Sequence, residues 1–382
     1  MEIANLRTKL KYYHGIWLMV ILLSIVSVLT SYSLTGELLM PLVQQAVGLG
    51  FLFAISKVNY KKYNKSPLLF LGVAVVLLVL TLIMRRGAGG RSISIGGHLI
   101  QTFYIISLCL IFFLCIFYAR ITNKGKEISL GETKFGIFLL LIFVAAIAWK
   151  NISTAIILFI TGMVVLFLAG VKTKYLLYTF LICGILGGAY LAVGHYRNNN
   201  TEIVGHSSED RSTTLDSRVQ YWLHGKCESK AYGRQMTLSK AAISRSIVNP
   251  SGPGKGLIKK NMAEGENDFI FALICEEFTF ATGLCVLLIY IILFHQSLLV
   301  ARKAQGNFIR YYATGIGVLI MLQALIHIGA NTGVIPATGQ TLPLISRGSV
   351  SLFFTCFALG TLINMAKQVV DQTDGEDTEL TV

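Results

Sequence analysis

Asp268 stands where a polar, glycine-marked loop, Gly252-Pro-Gly-Lys-Gly256 and beyond, runs into an apolar stretch that carries Glu276 and Glu277. A carboxylate at the mouth of a membrane helix is costly unless it works or is paired. Three roles suit it: general base toward an attacking hydroxyl, ligand of a divalent cation such as Mg or Mn, or cap of the free amides at a helix start. On a continuous helix Asp268 and Glu276 lie roughly 80° apart around the axis and about 12 Å along it, so they make no close dyad, and Glu277 points nearly opposite. The two glutamates read as support for Asp268, by pairing with arginine, by capping broken backbone or by touching substrate.

Cations that could face such a carboxylate lie in other loops. Arg85, Arg86 and Arg91 fall in Arg85-Arg-Gly-Ala-Gly-Gly-Arg91, where forked guanidinium groups and open backbone amides suit a phosphate or diphosphate. The plainer alternative is snorkelling at a helix end. Lys255 belongs to the loop before Asp268, which shares a long basic segment with Arg218, Lys240 and Arg245. Between Ala330 and Ser351 the chain is rich in Gly and Pro yet stays apolar, as irregular backbone beside a membrane cavity does. There Gly339 and Pro343 shape the backbone, while Ser346 and Arg347 could touch an anionic substrate; a structural salt bridge is the alternative for Arg347.

Other chemistries are poorly supplied. A Walker loop needs a leading glycine and a Ser or Thr after its Lys, and Gly256 follows Lys255. The histidines show no HxxxH pairing and the cysteines no Cys-x-x-Cys, which argues against a zinc cage; His327 reads as a hydrogen-bonded packing residue. Six of the seven cysteines lie in or beside apolar segments, so no disulfide framework is implied.

The elements that must hold these residues are membrane helices. Of 382 residues, 54% are apolar and 14% charged, too oily for a soluble domain of this length. The net charge of +14 sits mainly between apolar runs, which points to lipid headgroups and topology rather than nucleic acid. Counting about 20 apolar residues per crossing predicts an all-α, polytopic chain with about ten spans near 15–33, 39–58, 66–84, 102–119, 133–149, 151–170, 174–194, 277–297, 310–330 and 349–366. The fifth and sixth are parted only by Lys150. Basic residues in alternate short loops place both termini in the cytoplasm and the 195–267 loop outside. The acidic tail, 368–382, is expected to be a solvated, disordered cytoplasmic end.

At these residues the chain resembles the SEDS family (shape, elongation, division and sporulation), which includes FtsW, RodA and SpoVE. Its C-terminal signature is matched by Gly333, Pro336, Thr338, Gly339, Leu342, Pro343, Ile345, Ser346, Gly348 and Ser351. A second block is matched by Asp268 to Ala272 with Glu276 and Glu277, and a weaker one by Asn151, Ser153, Thr154 and Ala155. The resemblance covers nearly the whole chain, read as one transmembrane domain over 1–382. Arg347, where Tyr is common, resembles the division-type branch of the Bacteroides lineage. The pattern is broken in places: Ser92 replaces the family Trp, Thr102, Phe103 and Tyr104 replace the Pro-Ser-Glu after Gln101, and Ser349 the second Gly of the C-terminal motif.

The resemblance implies a peptidoglycan glycosyltransferase that polymerises lipid II on the outer face of the cytoplasmic membrane, with the essential acidic residue at Asp268. It also implies a class B penicillin-binding protein as transpeptidase partner, among other division or elongation membrane proteins. Two further readings stand beside it: a transporter of the lipid-linked precursor, and a scaffold that has lost catalysis through the Ser92 and Tyr104 departures.

Overall fold

The computed structural model describes residues 12–64, 66–83, 93–95, 98–100, 102–149, 151–200, 218–219, 221–223, 230–258, 268–346 and 349–379. In chain order the described helices of more than one turn are α1 (Tyr12–Thr35), α2 (Leu39–Lys57), α3 (Pro67–Ile83), α4 (Thr102–Thr122), α5 (Leu130–Ala148), α6 (Ile152–Ala169), α7 (Thr173–Asn200), α8 (Lys230–Ser246), α9 (Ile270–Glu277), α10 (Phe280–Lys303), α11 (Asn307–Thr332) and α12 (Ser349–Glu379). Eight of them are long and apolar enough to cross a membrane, and α3 and the apolar part of α7 (Thr173–Ala189) are shorter apolar helices. Between α3 and α4 lies an antiparallel hairpin that the apolar pattern did not predict, β1 (Ile93–Ile95) with β2 (His98–Ile100), Ser94 opposite Leu99.

α4 is apolar all round and buried along nearly its whole length, with α3, α6 and α11 packed about it. Where lipid is the solvent, such packing rests on close contact and interhelical hydrogen bonds rather than on escape from water. Phe112 of α4 stacks on Phe70 of α3 at 4.7 Å and lies 4.5 Å from Tyr312 of α11. Glycines allow the closest approaches. A Cβ on Gly317 of α11 would stand 2.0 Å from the Ser297 hydroxyl of α10.

Local signals explain several boundaries. Asn151 caps α6 by accepting from the Thr154 amide at 3.2 Å, which divides α5 from α6 within three residues; the two then pack side by side. The expected eighth span, 277–297, is found as α10, which starts three residues later: α9 ends at Glu277, and Thr279 accepts from the Thr282 amide to start α10 at Phe280. The acidic tail is not irregular through its described part, since α12 continues without a proline to Glu379.

Candidate functional site

One end of the bundle gathers the C-terminal ends of α1 and α11 with the N-terminal ends of α4 and α6. Asp268 sits there, half-buried, just before α9. The capping position of α9 is Phe269, without a side-chain cap bond, so the helical ruler does not reach back to Asp268. The backbone at Asp268 is held instead by Asn331 of α11. The Asn331 Nδ2 donates to the Asp268 carbonyl and to the His327 carbonyl, each at 2.9 Å, while its Oδ1 accepts from the Ala272 amide at 3.1 Å. Ser239 of α8 donates to the Asn331 carbonyl at 2.9 Å, which brings the outer-loop helix into the same junction.

Asp268 lines a small cleft of about 80 Å³ with Arg218, Gln235, Phe269, Ala330 and the segment Ala337–Gln340. That segment belongs to the irregular chain after α11, whose turns need left-handed backbone at Gly333 (φ 78°) and Gly339 (φ 65°). Leu344 is the one non-glycine residue with positive φ (66°) among the described residues, a conformation that costs about 1–3 kcal/mol and persists only when its surroundings impose it. Side chains from three helices do so. Gln45 of α2 donates to the Leu344 carbonyl at 3.1 Å, Ser27 of α1 to Ile345 at 2.9 Å, and Tyr290 of α10 to Pro343. Irregular backbone at membrane depth thus has its carbonyls satisfied by protein.

Gln340 joins this wall to the core. Its Nε2 donates to Thr154 of α6 at 3.2 Å, its Oε1 accepts from Tyr104 of α4 at 3.1 Å, and its carbonyl lies 2.5 Å from His327 Nδ1. The Tyr104 hydroxyl also lies 2.9 Å from the Thr341 hydroxyl. Tyr104, read from sequence as a lost carboxylate, therefore still places a polar group behind the cleft wall. Thr338 Oγ1 is buried without a hydrogen-bond partner among the described residues, and Arg218 donates to the Ala337 carbonyl at 3.2 Å.

Glu276 and Glu277 face elsewhere. Both are 1% exposed. Glu276 accepts the Leu257 and Ile258 amides at 2.6 and 3.1 Å, and its carbonyl accepts the Ser251 amide at 2.8 Å. Glu277 accepts the Gly254 amide at 3.1 Å and the Ser33 hydroxyl of α1. The pair clasps the glycine loop, and the loop needs its glycines: Gly252 and Gly254 have φ of 79° and 75°, and a Cβ on Gly256 would stand 2.7 Å from Glu276 Oε2.

Of the residues singled out from sequence, the structure brings Asp268 and Gly339 together in the cleft. Lys255 is exposed on the clasped loop and does not line it. Ser346 is buried in a turn, accepting the Leu342 amide at 2.8 Å, and Pro343 is held by Tyr290. Arg85, Arg86, Arg91 and Arg347 lie outside the described residues, as does most of the 201–229 stretch. Sequence reasoning did not single out Gln235, Gln340 or Arg218 as site residues. Arg218 is one of many cations in a basic loop, and no spacing marks it.

With this geometry in place, relatedness can be assigned. A model of the family described as cell cycle protein, covering FtsW, RodA and SpoVE, matches residues 9–370. The chain belongs to this family. It is accordingly an integral membrane protein, in keeping with its apolar helices. It is 27% identical over 319 residues to a protein named probable peptidoglycan glycosyltransferase FtsW in Buchnera aphidicola subsp. Schizaphis graminum, covering 82% of this chain and 85% of that one. It is 29% identical over 329 residues to stage V sporulation protein E of Bacillus subtilis, covering 84% of each. Two solved structures share the fold at 19% identity. A chain from a structure described as structural coordination of polymerization and crosslinking by a peptidoglycan synthase complex gives a TM-score of 0.72 over 93% of this chain and 97% of that one. The rod shape determining protein RodA of Thermus thermophilus gives 0.64 over 93% and 96%.

Proposed function

We propose that this chain is a peptidoglycan glycosyltransferase that polymerises lipid II at the outer face of the cytoplasmic membrane, with both termini cytoplasmic. The observation that carries the reading is the cleft itself, which half-buried Asp268 lines together with the Ala337–Gln340 segment of the family signature. In the proposed step a sugar hydroxyl of one lipid-linked chain attacks the anomeric carbon of another. The bond to the diphosphate breaks, the lipid diphosphate leaves, and Asp268 takes the hydroxyl proton. Arg218 at the cleft, together with Arg85, Arg86, Arg91 and Arg347, would balance the charge that grows on the diphosphate.

Among the described residues no three His, Cys, Asp or Glu side chains gather as a metal cage. A Mg or Mn ion would therefore be held by Asp268 together with substrate phosphate oxygens, a donor set that suits a hard, partly hydrated cation and would neutralise the leaving group. On Arg347 we read the chain as the division-type member of the family, of the Bacteroides lineage. We further propose a crosslinking partner, a class B penicillin-binding protein, because a relative of the same fold comes from a complex that couples polymerisation to crosslinking.

The test is lipid II polymerisation by the purified full chain with its cognate penicillin-binding protein. Glycan strands from the wild type and none from Asp268→Asn support the reading. Full activity in Asp268→Asn overturns both the base and the metal version, and transbilayer movement of lipid II without polymer would indicate a transporter instead.

A further inference from the structure

At the opposite end of α4, sixteen residues and about 24 Å along the axis from Tyr104, a second cavity opens between the start of α3, the end of α4 and the start of α5. It has a volume of about 310 Å³ and is lined by Pro67, Phe117, Arg120, Ile121, Lys124, Lys126 and Glu132. Three of these are cations and one a carboxylate, a balance of +2. One oxygen of the carboxylate is engaged within its own helix start. Glu132 Oε2 accepts the Ser129 amide at 2.7 Å in the capping box of α5. The loop between α4 and α5 is wound tightly by amide bonds from Asn123, Lys124 and Gly125 back to α4, with Gly125 at φ 66°, which places Lys124 and Lys126 on either side of one turn.

Next to this cationic rim stands an aromatic wall. The Phe117 ring lies 5.7 Å from Phe113 and 5.4 Å from Phe135 of α5, and Phe135, Leu68 and Leu69 are exposed where the helices meet lipid. Cations kept near a helix end by topology alone need no pocket and no aromatic wall. A free anion would use the rim and leave the wall idle. We propose that this cavity binds the anionic headgroup of a phospholipid of the cytoplasmic leaflet, the phosphate among Arg120, Lys124 and Lys126 and an acyl chain along Phe117 and Phe135. Basic pockets between membrane helices on the cytoplasmic side suit such headgroups, at about 1 kcal/mol for each Lys or Arg near the surface, or roughly fivefold in affinity.

The experiment is native mass spectrometry of the full chain in detergent, titrated with phosphatidylglycerol, phosphatidylcholine or inorganic phosphate. Phosphatidylglycerol is expected to be retained at least tenfold better than phosphatidylcholine and to resist millimolar phosphate. Arg120→Gln, Lys124→Gln and Lys126→Gln should each weaken retention about fivefold, and the triple variant roughly a hundredfold. The paired control Lys172→Gln and Lys174→Gln should leave retention unchanged. All five side chains are exposed, and thermal unfolding of each variant is to check that folding is intact. Equal retention of both lipids, displacement by phosphate, or a control as weak as the triple variant would each overturn the proposal.

Discussion

Asp268 and the pair Glu276–Glu277 lie within ten residues of one another, yet the fold treats their carboxylates in opposite ways. The glutamates are sealed from solvent and filled with backbone amides and a serine hydroxyl. Asp268 is half-buried at the wall of a cleft, and its carbonyl, rather than its carboxylate, accepts the Asn331 bond that anchors it. A buried carboxylate filled with amides is a structural clasp, because removing it takes away an acceptor on which several buried donors rely. A carboxylate at the wall of a cleft stands where a ligand can reach it.

That contrast can be broken by experiment. Asp268→Asn should lower polymerisation about 10²- to 10⁴-fold with an unchanged unfolding temperature, the signature of lost proton transfer, checked by initial rates alongside thermal unfolding. Glu276→Ala should do the reverse. It removes the carboxylate that the Leu257 and Ile258 amides donate to, at about 1–3 kcal/mol each, and calorimetry should show a clear fall in unfolding temperature. A drop in turnover with no change in stability would erase the distinction between the two regions. Gly256→Ala, whose Cβ would press on Glu276, should cost about 1–3 kcal/mol and raise amide exchange across residues 251–258. Thr338→Val should be the mildest. Its hydroxyl has no partner among the described residues, so stability should hold while KM rises a few-fold, measured by substrate titration.

Sequence and structure part company where contacts are remote. The apolar runs were legible because about 20 such residues span a bilayer whatever their neighbours, and α1, α2, α4, α10 and α11 contain or nearly contain the predicted segments. The break at Thr279 was not, because the apolar pattern runs through it and only a cap bond marks it. The clasp depends on Ser33, 244 residues from Glu277, and on amides whose direction no side-chain pattern encodes. The Thr338–Gly339 wall could be foreseen as irregular from its Gly and Pro content, but not as the surface facing Asp268. Tyr104 was read as an absence, since identity alone cannot tell that its hydroxyl reaches Gln340 and Thr341.

Asn331 has an evolutionary consequence. It is fully buried, and its side chain joins Asp268, Ala272 and His327 through two donated bonds and one accepted bond. Aspartate has the reach without the donors, glutamine the donors at the wrong length, and leucine the shape alone. No single substitution reproduces the set, so position 331 is a point of low mutational tolerance, and drift there should be followed by loss of the lineage's enzyme rather than by gradual retuning.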